Sequence, residues 1–453
     1  MKIRVRLRQK IKRNNKTIAR LVRRAFYFIR YNSAMLTNLE KEVRQNLKHN
    51  VTVNLTDGAF FGMALGFASF TTILPLFVAS LTDSTTLIGL VPAIHSAGWL
   101  LPQLFTASHV ARLRRYKNNV LMMTIHERVP FLGFAIVALL IPIIGVQIAL
   151  ALAIALLIWQ GLGGGFAANP WTSMISKIIP ADSRGTFFGM QAGLANLFIS
   201  LGAIGSGYLL DYLASPLDFA TCFFIASIFF TISWFALAAT REPADEEKII
   251  PEEKTHFWND AKKILKKDKN FNWFLSARTL AQFASMGFSF YIIYALREFN
   301  MTEIIAGYLT ATLTISATIA NMSMGWLGDK FGHRSMVILG AFAIFLSSLL
   351  AWIATSINWF YPIFVLAGIA NVSIWTIGMT MTVDFATEAE RPMYIGLSQT
   401  LTAPATIIAP IIGGFVADTF GFKSTFIAST VLAIVMLAIL IFLVKEPRKQ
   451  ATV

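Results

Sequence analysis

The chain holds one cysteine in 453 residues, Cys222, so an internal disulfide is excluded. Charge is scarce. Asp, Glu, Lys and Arg make up 14% of the chain, against roughly 25% in a soluble domain. No cluster of His and Cys has metal-ligand spacing. His126-Glu127 opens like a His-Glu-x-x-His helix, but position 130 is Pro130. No nucleophile–base pair and no strand-borne phosphate loop is present, so the sequence offers no motif for an enzyme, a metal or a cofactor, and none is expected. The N-terminus has no continuous apolar core and is not a signal peptide.

What fills the chain instead is hydrocarbon. It is 55% hydrophobic and 13% aromatic, with a mean hydropathy of +0.61. Apolar runs of about 20 residues, enough to cross a ~30 Å core, recur twelve times: roughly 54–80, 86–108, 119–142, 147–174, 186–210, 219–239, 272–296, 303–327, 335–356, 360–384, 395–417 and 425–444. Barrel strands would be about 10 residues with dyad alternation. The fold class expected is an all-α membrane protein of twelve transmembrane helices. Cys222 falls in the sixth run and reads as packing.

Charge sets the orientation. Of the 39 Lys and Arg, 15 lie in residues 1–50 and eight more in 241–269, while the six opposite breaks hold only Arg297 and Lys423. By the positive-inside rule both termini are cytoplasmic, in a multi-pass protein of the plasma or inner membrane. The net charge of +15 sits almost wholly in the tail, so no nucleic-acid partner is implied. Within the tail Ile18, Leu21, Val22, Ala25 and Ile29 share a helical face. That is either an amphipathic helix on anionic membrane lipid or a disordered topology determinant.

The chain repeats. SRGTFFG at 183–189 is matched by ERPMYIG at 390–396, and Asp211 and Asp418 follow at the same spacing. Gly89 pairs with Gly307 and Ala111 with Asp329. The expected organisation is a basic tail, 1–50; a six-helix bundle, 51–240; a charged linker, 241–271, with Phe257, Trp258, Ala261, Ile264 and Leu265 on one helical face; a second, pseudo-symmetric six-helix bundle, 272–445; and a short tail, 446–453.

Between the eighth and ninth runs stands GWLGDKFGHRS, residues 325–335. It resembles the loop motif of the major facilitator superfamily of secondary transporters, through Gly325, Leu327, Asp329, Lys330, Gly332 and Arg334, with His333 in place of one basic residue. The first-half counterpart, ASHVARLRRYK at 107–117, keeps the basic residues but has Ala107 and Ala111 for the glycine and the acid. The fourth run carries LIWQGLGGG, similar to a second family motif through Gln160, Gly161 and Gly163, with Leu157 at the position of the family's arginine. The resemblance implies two halves that rock about a central site near the midplane. It also implies a gating loop of Gly325, Asp329, Lys330, Gly332 and Arg334, in which Asp329 holds one conformation through nearby basic side chains.

Charges inside the spans are costly and tend to face protein or water. Glu127 lies roughly 13 Å into the third run, Arg128 follows it, and Asp57 is near the start of the first. Asp57 and Glu127 are the proton-coupling candidates, Asp57 preferred because the family's first span lines the cavity. The alternatives are a helix-start carboxylate reaching water and a structural ion pair. Arg278, shallow in the seventh run, is expected to snorkel, and Asp384 to mark a helix end. Arg128, Trp159, Gln160, Asn169, Gln282, Asn371 and Trp375 are the substrate-cavity candidates, with His95 and Gln103 in the second run. Each alone is also a candidate interhelix hydrogen bond. Gly58, Gly62 and Gly66, and Gly185, Gly189 and Gly193, have the spacing of close helix contacts. The expectation is a secondary transporter of a small, neutral or amphipathic organic solute, coupled to protons or another ion, with efflux favoured over uptake. The alternative is a non-transporting protein on the same fold, a lipid scramblase or a receptor-like sensor.

Overall fold

The computed structural model describes residues 38–111, 113–180, 183–244, 257–386 and 390–447; the side chains of 38–40, 104, 107–109, 111, 257–261 and 392 fall outside that description. The tail segment around Ile18 to Ile29, Arg112, and the side chains of Ala107, Ala111, Phe257, Trp258 and Ala261 therefore lie beyond it.

All regular structure among the described residues is helical. Eleven segments are long and apolar enough to cross a membrane alone. The first span makes the twelfth and is built in two pieces, α1 (Asn38–Phe67) and α2 (Ile73–Leu81). Pro75 in the first turn of α2 cannot continue a helix, because its ring would meet the carbonyl of Thr71. The chain turns at 68–72 instead, with the Ser69 carbonyl accepting from the Leu74 amide at 2.9 Å. α1 also starts earlier than hydropathy indicates. Residues 38–50, expected in the tail, are helical, and Val43, Leu47 and Asn50 are buried.

The first half continues with α3 (Thr85–Ala111), α4 (Lys117–Ile144), α5 (Val146–Ile178), α6 (Arg184–Tyr212) and α7 (Leu217–Ala238). After the linker helix α8 (Phe257–Lys267) the second half repeats the plan. Its seventh span is again broken, as α9 (Lys269–Ala284), a 3-10 turn at Met286–Phe290 and α10 (Tyr291–Phe299). Then come α11 (Glu303–Phe331), α12 (His333–Ile353), α13 (Phe360–Val372) with α14 (Gly378–Asp384), α15 (Arg391–Phe420) and α16 (Phe422–Ala438). A π turn, Ser373–Ile377, joins α13 to α14.

Each half closes on itself by the same device. Asn50 in α1 exchanges two hydrogen bonds, both 2.9 Å, with the backbone of Arg241. Asn270 in α9 does the same with Lys445, at 3.0 and 2.7 Å. The next residue in each case is a glutamate. Glu242 accepts from the amides of Tyr116 and Lys117 at the start of α4, at 2.9 and 2.7 Å, and from Lys177 at 3.0 Å. Glu446 accepts from the amide of Arg334 at the start of α12, at 3.1 Å. A carboxylate at a helix N-terminus satisfies orphan amides and meets the positive end of the helix dipole.

The halves meet mainly through α6 against α11 and α3 against α15. Their shared contacts gather at the end distal to both described termini. There Thr72 and Thr310 share a hydrogen bond of 2.5 Å, Ser200 and Thr314 one of 2.6 Å, and Tyr208 and Tyr308 one of 2.7 Å. Asp418 of α15 caps α3, accepting from the amides of Thr85 and Thr86 at 2.6 and 2.8 Å and from both their hydroxyls. One apolar core, from Phe77 and Phe223 to Phe290 and Phe426, runs through both halves at this end. At the opposite end the cores are separate, one per half.

The glycines report the same asymmetry. A Cβ on Gly62 or Gly66 would come within 2.4–2.5 Å of the α6 backbone. The expectation of tight contact fails for Gly185, Gly189 and Gly193, beside which a Cβ would meet nothing within 4 Å. They face open space at the end where the halves part.

Candidate functional site

In the first half, three spans are pinned by one buried constellation. Arg128 of α4 reaches Asp57 of α1 at 3.1 Å. Ser233 of α7 donates to the same Asp57 oxygen at 2.5 Å and accepts from Arg128 at 3.1 Å. The guanidinium also lies 5.3 Å from the centre of the Phe61 ring. Asp57 and Arg128 are 5% and 6% exposed, so each charge depends on the other. The Nε and Nη1 atoms of Arg128 are buried without a hydrogen-bond partner among the described residues.

Glu127, one residue earlier, leaves α4 about 100° away yet borders the same cavity as Asp57 and Arg128. It is 7% exposed and lines a cavity of about 400 Å³ with Asp57, Phe61, Trp99, Trp171 and Phe188. The GLGGG run places it there. A Cβ on Gly163 would sit 2.4 Å from the backbone of His126 and Glu127, and one on Gly165 would overlap the Gly98 carbonyl. Only glycine lets α5 pack against α3 and α4 so closely, which carries the Glu127 carboxylate to the face of Gly164. Leu157, at the position of the family's arginine, is buried in the apolar core.

A second cavity, of about 140 Å³, lies where α3 faces the second half. Gln282, Asn371 and Trp375 meet there with Ser96, Ser285 and Thr406. Arg278 sits one turn below Gln282. It is 5% exposed rather than snorkelling, and its partners are neutral: Ser398 at 2.7 Å, Thr382 at 3.0 Å, and the carbonyls of Gly378 and Ile374 at 3.3 and 3.5 Å. The Ile374 carbonyl belongs to the π turn and that of Gly378 directly follows it, a break of the kind often found at functional sites.

Three expected cavity residues stand elsewhere. Trp159 is 41% exposed on the outer seam of α4 and α5 and donates to His126 at 3.1 Å. Asn169 staples α5 to α3 through the Gln103 carbonyl and Thr106. Gln160 is buried against His95 at 3.4 Å. The gating loop lies at the end of α11 and the start of α12. The Asp329 side chain is 74% exposed, and His333 lies 3.8 Å from it. Lys330 lies over the Trp326 and Phe331 rings instead. Arg334 donates to the carbonyls of Leu440 and Ile441 in the π turn Ile439–Leu443 that follows α16. His333 holds Asp384 at 2.5 Å, which gives that helix-end residue a partner. Gly332 has a φ of 93° and a Cβ there would collide with Glu446, while Gly325 borders open space.

Sequence reasoning missed Ser233, Trp99, Trp171 and Phe188, which no pattern separates from other apolar-run residues. It also missed Glu242 and Glu446. A signal existed for these two: Arg-Glu-Pro at 241–243 and Lys-Glu-Pro at 445–447 end the two halves.

The Major Facilitator Superfamily model matches residues 59–296 and 274–453. Multidrug resistance protein 2 of Bacillus subtilis is 31% identical over 140 residues, 31% of this chain and 35% of its own length. A protein of Planococcus maritimus named a Na(+), Li(+), K(+)/H(+) antiporter is 27% identical over 168 residues, 35% of this chain and 39% of its own. The match thus spans little more than a third of the length of either relative. Among solved structures, a point mutant of the nucleoside transporter NupG superposes with a TM-score of 0.69, covering 86% of this chain and all of that one at 12% identity. This last likeness speaks to the fold alone.

Proposed function

The chain belongs to the Major Facilitator Superfamily, and on that premise we propose that it is a proton-coupled exporter of a small amphipathic organic solute. It works by alternating access in the plasma or inner membrane with both termini in the cytoplasm. The basic residues of the tail and linker support that orientation, and the sealed distal end then makes this the cytoplasm-open state. The names of two relatives, a multidrug resistance protein and a cation/proton antiporter, favour export and a proton as the coupling ion.

The observation that carries the proposal is Glu127, a buried carboxylate in a cavity walled by Phe61, Trp99, Trp171 and Phe188, for which no hydrogen bond or ion pair is found among the described residues. Asp57 is occupied: releasing it would strand Arg128. A carboxylate that faces the cavity, near Arg128 but with no ion pair or hydrogen bond to it among the described residues, is free to take up and lose a proton as the cavity changes sides. The geometry therefore favours Glu127 as proton carrier over Asp57, with Asp57 and Arg128 fixing the helix that presents it.

The test is flux in proteoliposomes, using a solute found by thermal-shift screening of the purified protein. Glu127→Gln should abolish accumulation driven by a pH gradient and keep exchange between equal concentrations. Full gradient-driven accumulation by that variant would remove Glu127 from the coupling step.

A further inference from the structure

The linker helix lines neither of the two cavities described above. In α8, Ile264 and Leu265 are partly buried against the second-half core, while Lys262, Lys263, Lys266 and Lys267 are exposed. On a helix turning about 100° per residue, Lys262 and Lys266 fall about 60° and 100° from Leu265 on one flank, whereas Lys263 and Lys267 fall about 160° away.

A groove of about 780 Å³ begins at Leu265 and runs between α9, α15 and α16. Leu275, Leu280, Leu401, Val435 and Ile439 form its apolar walls. Two of its polar side chains donate along the helix, Asn272 to the Leu265 carbonyl at 2.5 Å and Ser276 to the Asn272 carbonyl at 3.0 Å, while the Asn272 Oδ1 is buried without a hydrogen-bond partner among the described residues. The groove therefore offers hydrocarbon contact along its length and positive charge at one end. The helix bearing that charge is anchored, since Tyr394 of α15 donates to Asp268, the residue that caps α9, at 3.2 Å.

We propose that this groove binds one anionic phospholipid, its acyl chains between α9 and the outer faces of α15 and α16 and its phosphate held by Lys262 and Lys266. The occupant follows from charge complementarity. A chain-like apolar channel that ends under two lysines on one flank matches an acyl chain ending in an anionic headgroup, at the depth where basic residues meet the negative inner leaflet. The groove shares no lining residue with the cavity at Gln282, so its ligand is distinct from the transported solute. A bound lipid would brace α9 against α15 and α16.

Native mass spectrometry of the full chain in detergent decides, by titration with palmitoyl-oleoyl phosphatidylglycerol or with the matching phosphatidylcholine. The wild type should retain one phosphatidylglycerol with roughly thirtyfold preference over phosphatidylcholine, as two basic contacts at about 1 kcal/mol each would give. Lys262→Gln with Lys266→Gln should erase the preference. Lys263→Gln with Lys267→Gln, equal in charge lost but on the far side, should keep it. Ser276→Trp, at an exposed position in the groove, should weaken retention of both lipids. The basic tail is common to all variants, so only differences between them count. Equal losses in the two lysine pairs would reduce the effect to diffuse surface charge and overturn the site. No preference in the wild type would overturn it too, as would a dimer that Ser276→Trp dissociates, which would make the occupant a second copy of the chain.

Discussion

Arg128 is the residue on which the first half turns. Its charge is balanced by one Asp57 oxygen, while two of its nitrogens stay unpartnered among the described residues. Removing one member of a buried pair typically costs about 3–5 kcal/mol, because the survivor is left charged in a low-dielectric site. Asp57→Asn should therefore lower the thermal midpoint in detergent sharply, and Arg128→Met should do the same. The double variant should recover a large part of the loss, since it removes both desolvated charges. Glu127→Gln, which breaks no hydrogen bond or ion pair found among the described residues, should melt close to the wild type. A double-mutant cycle with purely additive losses would show that the pair is not energetically coupled. These residues also bound what a sequence can tell. The depth of Glu127 and Arg128 was legible from their place in an apolar run. That Arg128 closes on Asp57, 71 residues away, was not, because hydropathy carries no information about which way a helix faces.

The elements are held by their ends. Glu242 and Glu446 occupy matching positions, but Glu242 takes two amides and a lysine while Glu446 takes one amide. A lost helix cap costs about 0.5–2 kcal/mol, and Glu242→Ala would also leave the Lys177 ammonium, itself largely buried, without its carboxylate. Glu242→Ala should destabilise the protein by about 2–3 kcal/mol and Glu446→Ala by about 1 kcal/mol. Hydrogen exchange should place the first loss at the start of α4 and the second at the start of α12, and equal losses would mean that the two caps are equivalent. At this scale much was readable. Twelve apolar runs became twelve spans because a helix must satisfy its own backbone in hydrocarbon. The break in α1 was not, although Pro75 marks it, because loss of a helical turn does not change mean hydropathy. Trp159 failed for a related reason: an aromatic side chain reads alike whether it faces lipid or a cavity. The second-half candidates fared differently, and Gln282, Asn371 and Trp375 do meet, because polar side chains in an apolar span converge on the few places that offer them partners.

For the molecule as a whole, the question is what holds one end shut. The repeat places Asp211 and Asp418 at equivalent ends of α6 and α15, yet they are used differently. Asp418 accepts five hydrogen bonds from residues 84–86, all in the other half. No hydrogen bond of Asp211 is found among the described residues, and at that seam the Tyr208–Tyr308 pair stands instead. Among the described residues the distal seal is therefore charge-assisted where α15 meets residues 83–86, Arg297 adding a bond of 3.1 Å to the Asp83 carbonyl, and a carboxylate on a helix N-terminus is among the stronger contacts available to it. Asp418→Asn keeps the size of the side chain but gives up the charge and one acceptor. It should shift the population toward states open at the distal end without unfolding either bundle. The lone Cys222 makes this measurable: in a Cys222→Ser background, Ser200→Cys places one thiol in the seam, where Ser200 is buried against Thr314. A small water-soluble thiol reagent should modify that cysteine several-fold faster with Asp418→Asn than without it. Asp211→Asn should leave the rate unchanged. If neither substitution alters the rate, the seal rests on the shared aromatic core and the hydroxyl pairs, and Asp418 serves only to start α3.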